Sequence, residues 1–270
     1  MSNQLGSTRR AWQNAPMREE LDQAIDDLQT CRDVLSAALI LKRVGDVIGV
    51  PRVAAADDYS NSSLILGEDG VSLAEVFGWS KDYIETWLDK KLTLASPIGH
   101  ACRFATKPFV WYARKIWDKR PNLDKGQARV LEIMADQGTY GGITVPIHRP
   151  LGRVGSVGWT TGDSNTDLDA IVRDYSPQLM LIGHYFLDLV FQLRDEEPAA
   201  SDIASLTERE IECLTWVALG KTDAEIAEMI FRSPATARFH IEKAVKKLGA
   251  SSRSQAAAMA SQLGLIGPVV

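Results

Sequence analysis

The chain has 270 residues, 45% of them hydrophobic and 24% charged, with a formal net charge of −5. That length leaves room for two domains, one with a sizeable core. The negative total excludes a general polyanion binder, so any contact with nucleic acid has to come from one local face. Cys31, Cys102 and Cys213 have no CxxC spacing, which fits a reducing cytoplasm. No apolar signal core occupies residues 1–30, and no run approaches about 18 apolar residues, so neither export nor a membrane partner is expected.

Residues 1–17 read as a flexible tail, and 18–194 as one mixed domain. From about Arg18 to Ile48, Leu21, Ile25, Leu28, Val34, Leu35, Ala38, Leu39 and Leu41 recur at helical spacing. Gly49-Val-Pro51 breaks the pattern. Arg52–Ala56 then reads as a buried strand, and Leu64–Leu66 as a second one before Ser72–Phe77. Asp82–Lys90 reads as a helix, Lys107–Trp111 as extended chain and Lys125–Asp136 as a helix. Gly142–Ile147 and Arg153–Thr160 form a hairpin through Arg149–Gly152. Asp167–Arg194 is a long helix with Leu179, Ile182, Phe186, Leu189, Val190 and Leu193 along one side. Strands with flanking helices make this domain α+β, an α–β–α sandwich. The polar, proline-bearing stretch 195–204 is the linker. Trp79, Tyr83, Trp87, Phe104, Phe109 and Trp111 cluster in the sequence; they suit either a plain aromatic core or an apolar pocket with directed N–H and O–H donors.

Residues 205–270 encode four short helices. Thr207-x-x-Glu210, Thr222-x-x-Glu225 and Ser252-x-x-Gln255 each fit a capping box, and Ser233-Pro234 is an N-cap followed by proline at the first helical position. Gly220, Gly249 and Gly264 fall where the preceding helices need a left-handed residue. Only about Arg232–Ser233 separates the second helix from the third, a helix-turn-helix. Ala237, Ile241, Ala244, Val245 and Leu248 form the core stripe of the third helix. Its other side shows Thr236, Arg238, Phe239, Glu242, Lys243, Lys246 and Lys247. Residues 201–228 carry seven acids and two bases, whereas 229–253 carry six bases and one acid. A cationic helix with a capped N-terminus suits a phosphate backbone and a major groove; a solvated lysine face is the plainer alternative.

Leu206-Thr-x-Arg-Glu210, Leu214, Gly220-Lys-Thr-x-x-Glu-Ile-Ala227, Ser233-x-x-Thr236, His240 and Lys247-Leu-Gly249 resemble the DNA-binding domain of LuxR-type transcription factors. Two positions depart from it: Ala237, where the family usually has valine, and Glu242, where many relatives have a basic or amide residue. A glutamate there accepts from cytosine N4, so the family's base preference does not carry over. Upstream, Trp79, Tyr83, Trp87, Ser96-Pro97, Trp111 and Gly142-x-x-x-Pro146 resemble the autoinducer-binding domain of quorum-sensing LuxR proteins. That family has tryptophan where Tyr83 stands, tyrosine where Trp87 stands, and aspartate where Ser96 stands.

The resemblance implies a ligand site at Tyr83, Trp87, Ser96 and Trp111, with no metal and no cofactor. In the family the aspartate accepts from the ligand amide through a charge-assisted bond, which is about twice as strong as a neutral one. Replacing it with Ser96 predicts a loss of about 1–2 kcal/mol, or ~5–30-fold, for an acyl-homoserine lactone. The expected function is a DNA-binding transcription regulator controlled by a small-molecule signal other than a standard acyl-homoserine lactone. The alternative is a ligand-independent or partner-controlled DNA binder with a vestigial pocket.

The partners expected are double-stranded DNA with a palindromic operator and a second copy of the chain. Lys221, Thr222, Ser233 and Thr236 are assigned to phosphates, Arg238 to guanine with Phe239 and Glu242 beside it, and Lys243, Lys246 and Lys247 to sequence-independent attraction. Two rivals fit poorly. For a phosphorylated receiver, Asp57-Asp58 comes too late and Lys107 too soon after it. For a hydrolase, Val154 stands where a nucleophile elbow has its first glycine, and the four histidines lack ligand spacing.

Overall fold

The structure, a computed structural model, describes residues 15–60, 64–115, 123–149, 152–193 and 206–267. Most of the expected tail and the whole expected linker, 195–204, lie outside these residues. The chain divides into two compact units; residues 15–148 and 153–193 belong to the first and 206–267 to the second.

The first unit opens with α1 (Ala15–Thr30) and α2 (Val34–Val47). The sequence pattern runs through both as one helix, but the chain breaks at residues 31–33. Asp33 takes an extended conformation there, and its carboxylate caps α2 by accepting the Ser36 N–H. Strand β1 (Arg52–Ala56) follows. Leu64–Leu66, expected as a strand, makes only an isolated bridge from Leu66 to Ser72. The chain doubles back at once through Gly70, at φ +77°, and Ser72 caps the next helix, leaving no length for a ladder. Four short helices come next: α3 (Leu73–Val76), α4 (Lys81–Leu88), α5 (Lys90–Leu94) and α6 (Pro97–Cys102). Strand β2 (Phe109–Tyr112), α7 (Lys125–Asp136), the hairpin β3 (Gly141–His148) and β4 (Val154–Thr161), and α8 (Leu168–Leu193) complete the unit.

The strands form one antiparallel sheet in the order β1-β4-β3-β2. Side chains alternate faces along a strand, and here the two sets differ in kind. Ile143, Val145, Ile147, Val157 and Trp159 pack with α1, α2 and α8 into the main core. The Trp159 indole fastens that layer by donating to the Leu41 carbonyl at 3.0 Å. Thr144, Ser156, Gly158 and Thr160 occupy the opposite face, where the α3–α7 segment lies. The domain is thus an α–β–α sandwich with one oily and one small, polar sheet face. Pro146 sits beyond the last β2–β3 pair, Phe109↔Thr144, so its missing N–H leaves no β2 partner short.

The second unit is all-α: α9 (Glu208–Ala218), α10 (Asp223–Met229), α11 (Pro234–Lys247) and α12 (Arg253–Gln262). Thr207, Thr222, Ser233 and Ser252 are the four N-caps. The first two are full capping boxes. The third expected box is partial: Ser252 accepts the Gln255 N–H, while the Gln255 side chain accepts from the N–H and hydroxyl of Ser251 instead. Gly220, Gly249 and Gly264 have φ of +77°, +64° and +69°. The unit's core holds Cys213, Leu214, Ile226, Ala237, Ile241 and Ala244.

Candidate ligand cavity and nucleic-acid interface

A cavity of about 190 Å³ lies between the polar sheet face and the helical segment above it. Its walls are largely apolar: the Ala54–Ala56 stretch of β1, Ile65, Leu73, Phe77, Ile84, Ile98 and Met134. Tyr83, Trp87, Ser96 and Trp111, named from the sequence, all line this one space. Period-three-and-four spacing on α4 puts Tyr83 and Trp87 on the same side, while Ser80 caps that helix through the Tyr83 N–H. Tyr83 stacks on Trp79, with ring centroids 4.2 Å apart and planes 12° from parallel.

The polar atoms fall into two groups. Some are already engaged. Trp79 donates to the Val53 carbonyl at 2.6 Å and Trp111 to Thr144 Oγ1 at 3.0 Å. Ser96 is only 3% exposed and serves as the N-cap of α6, its hydroxyl oxygen accepting the Gly99 N–H at 3.2 Å. Asp58 accepts both the N–H and the hydroxyl of Ser60. Among the described residues, two buried atoms on the lining have no well-aligned hydrogen-bond partner: the Trp87 indole N–H and the Thr160 hydroxyl. The Trp87 N–H lies close enough to the Tyr83 oxygen to favour its ionised form slightly. Burial dominates even so, and the phenol is pushed up to about 12. Among the described residues, no Lys, Arg or His lines the cavity.

Sequence reasoning missed Tyr59, Thr144, Ser156 and Thr160. The Tyr59 hydroxyl lies 2.7 Å from Ser156 Oγ on the sheet. Its ring packs against Gly99, where a Cβ would come within 2.7 Å. Burial raises the pKa of Tyr59, and pushes the neighbouring Cys102 thiol up to about 12. These groups are therefore neutral at physiological pH, and the thiol is unreactive. Gly142 is needed for the aromatic wall: a Cβ there would come 2.9 Å from the Trp111 ring and 2.6 Å from the Trp159 carbonyl.

In the second unit, Ser233, Phe239, Glu242, Lys243 and Lys246 are exposed, and Thr236 partly so, on the side of α11 away from Ala237, Ile241 and Ala244. The Lys243 ammonium lies 5.4 Å from the Phe239 ring centroid. Thr222 and Ser233 cap α10 and α11 from exposed positions, and Lys221 pairs with Glu225 at 3.3 Å. Two cations are more committed than the sequence suggests. Lys247 Nζ donates to Glu210, whose side chain is 5% exposed, so this ammonium serves the scaffold of the unit. Arg238 donates through Nε to Asp223 at 2.8 Å, yet its side chain stays 68% exposed. Phe231, in the turn before α11, has φ +54° and is 85% exposed.

A family model described as the autoinducer binding domain matches residues 46–190, and one described as bacterial regulatory proteins, luxR family, matches residues 204–260. Transcriptional activator protein BjaR1 of Bradyrhizobium diazoefficiens is 30% identical over 191 residues, 71% of this chain and 73% of that protein. The quorum sensing-dependent regulator RpaR of Rhodopseudomonas palustris is 29% identical over 189 residues, covering 70% and 73%. Transcriptional activator protein AhyR of Aeromonas hydrophila is 27% identical over 192 residues, covering 69% and 70%. The crystal structure of Escherichia coli SdiA shares the fold, with a TM-score of 0.56 at 17% identity over 92% of this chain and 98% of that one. No helix among the described residues is long and apolar enough to cross a membrane. The chain belongs to the LuxR family of quorum-sensing transcription regulators, with an autoinducer-binding domain followed by a LuxR-type DNA-binding helix-turn-helix domain.

Proposed function

We propose that the cavity of the first domain takes an uncharged small molecule other than a standard acyl-homoserine lactone, and that its binding raises occupancy of the chain on DNA. The observation that carries this is the pair of buried groups on the lining that have no well-aligned partner among the described residues, Trp87 Nε1 and Thr160 Oγ1. A buried donor left unpaired costs about 1–3 kcal/mol, so it favours a ligand acceptor in that place. Among the described residues the lining has no cation, and its carboxylate, Asp58, is already engaged by Ser60, which selects for a neutral occupant. Ser96 speaks against the lactone. One of its lone pairs is committed to the α6 cap, and what remains is a neutral acceptor in place of a charged one. Ligand that binds only the folded, active form shifts the population toward it by linkage.

On the DNA side, the exposed caps at Thr222 and Ser233, with Lys221 and Thr236, are assigned to phosphates. Arg238 reads a guanine beside Phe239 and Glu242, and Lys243 and Lys246 add general attraction. Lys247 is left out of this group because its ammonium is taken by Glu210. The active species is a homodimer on a palindrome, since one short helix offers too few base contacts for a specific site. Exposed Leu181 and Leu193 on α8 are candidates for its interface. The test is selection of bound duplexes from a random pool by the full chain, with and without cell extract. Enrichment of a palindrome that the extract strengthens supports the proposal; identical enrichment in both arms contradicts ligand control.

A further inference from the structure

Asp223 is the first residue of α10, following its cap Thr222. Its carboxylate is 17% exposed and holds two arginines from two other helices. Oδ1 accepts from Arg253 Nη1 at 2.6 Å and Oδ2 accepts from Arg238 Nε at 2.8 Å. Arg253, the first residue of α12, is itself fixed by a second bond from Nη2 to the Lys221 carbonyl at 2.8 Å. Backbone, Arg253, Asp223 and Arg238 thus form one chain of contacts that starts in the scaffold and ends on the exposed side of α11.

The Arg238–Asp223 bond is made through Nε. A guanidinium can meet guanine O6 and N7 either side-on, through Nε and one terminal nitrogen, or end-on, through both terminal nitrogens. With Nε taken by Asp223, the end-on edge is the one presented to solvent. Holding a long side chain in one geometry before binding also removes rotamer entropy that would otherwise be lost on contact. The carboxylate acts a second way. It places a negative charge beside the cationic face, which weakens attraction to any phosphate backbone and leaves base contact to make up the difference. The two partners shift as such a pair should: the Arg238 bond is the foremost influence lowering the Asp223 pKa, and Asp223, with Glu242 behind it, raises that of Arg238.

We propose that Asp223 is a positioning residue for base recognition, anchored by Arg253, which holds Arg238 in the end-on geometry and so sets the sequence specificity of the domain. The proposal rests on the assignment of Arg238 to a base pair made above.

The test uses the full chain, a duplex enriched by wild type from a random pool, that duplex with each guanine pair exchanged in turn, and an unrelated duplex. Asp223→Asn, Arg238→Ala and the double variant are compared in affinity and in thermal unfolding. Asp223→Asn is expected to lose about tenfold in discrimination at the one base pair that Arg238→Ala also relaxes. Its affinity for the unrelated duplex should hold or rise, and the double variant should discriminate no worse than Arg238→Ala alone. Full discrimination by Asp223→Asn at the pair relaxed by Arg238→Ala would overturn the inference while leaving the base contact intact. So would an equal loss on every duplex that tracks a lower unfolding temperature. If Arg238→Ala relaxes no pair, the base assignment itself fails and this inference with it. Should Asp223→Asn not fold, Asp223→Glu keeps the charge for Arg253 but displaces Arg238 by a methylene; it is expected to show the same local loss, and unchanged discrimination would overturn the proposal.

Discussion

Lys247 Nζ donates to Glu210 Oε2 at 2.7 Å, and that same oxygen accepts the Thr207 N–H at 2.8 Å. The last turn of α11 is thereby fastened to the capping box of α9, and a nearly buried carboxylate is kept paired. Lys247→Ala should lower stability by about 1–3 kcal/mol, because it strands that charge. It should leave the salt dependence of DNA binding nearly unchanged. Lys246→Ala should do the reverse, with little effect on stability and a salt slope shallower by about one. Chemical denaturation and binding at several salt concentrations separate the two, and a steeper salt effect for Lys247→Ala would return that lysine to the phosphate-facing group.

The capping boxes also set the acid limit of the second unit. Burial pushes the Glu210 carboxyl up, but the bonds from Lys247 and Thr207 outweigh it and the net pKa lies below the ordinary carboxylate range. At Glu225, the Thr222 N–H and hydroxyl, with Lys221, lower the value from 4.5 to about 2. For a carboxylate depressed in the folded state, the unfolded chain binds more protons, so stability is present above the unfolded pKa and is lost as pH falls through the folded one. The DNA-binding unit should therefore weaken between about pH 4.5 and pH 2. Acid titration followed by circular dichroism checks this, and Glu225→Gln should flatten part of the slope.

Arg238→Ala is expected to cost about 1–3 kcal/mol on the preferred duplex and relax a single base pair, in contrast to the uniform effect of Lys246→Ala. Binding to matched and random duplexes measures both. Identical behaviour of the two variants would mean that their roles are misassigned.

What was legible in the chain follows from how local each signal is. The caps at Thr207, Thr222, Ser233 and Ser252 and the left-handed glycines are decided within four residues, so the second unit could be read closely. The break at Asp33 hid inside an unbroken apolar period, because a side-chain cap does not disturb that period. Tyr83, Trp87, Ser96 and Trp111 were found through family resemblance and do share one cavity. Thr144, Ser156 and Thr160 were missed, although the hairpin's alternation already implied them: once Ile143, Val145, Val157 and Trp159 face the core, the small polar set must face elsewhere. Tyr59 reaches Ser156 across 97 positions of sequence, which no local pattern encodes. The pairing of Arg238 with Asp223 is likewise tertiary.

Two tryptophans on the cavity wall, Trp79 and Trp87, differ in one bond. Trp79 donates to the Val53 carbonyl, whereas the Trp87 N–H has no well-aligned partner among the described residues. Both substitutions by phenylalanine lose the same ring volume, but only Trp79→Phe also breaks a hydrogen bond. Trp79→Phe should therefore be the more destabilising of the two, by about 1 kcal/mol in urea unfolding of the free protein. Equal costs would indicate that the Trp87 N–H is satisfied and would remove the main support for a ligand acceptor beside it.

Ser96→Asp keeps the α6 cap, since aspartate serves there as well as serine. It also restores a charged acceptor to the cavity. Affinity for an acyl-homoserine lactone should rise about 5–30-fold, and thermal-shift titration of wild type and variant would show it. No gain, with stability retained, would mean that Ser96 does not face the ligand amide.

Isothermal titration of the full-length wild-type chain with a series of N-acyl-homoserine lactones tests the ligand assignment most directly. Affinities weaker than nanomolar across the series are predicted, because Ser96 offers the amide only a neutral, already shared oxygen, at a cost of about 5–30-fold against a charged one. Nanomolar binding of a common lactone would contradict it.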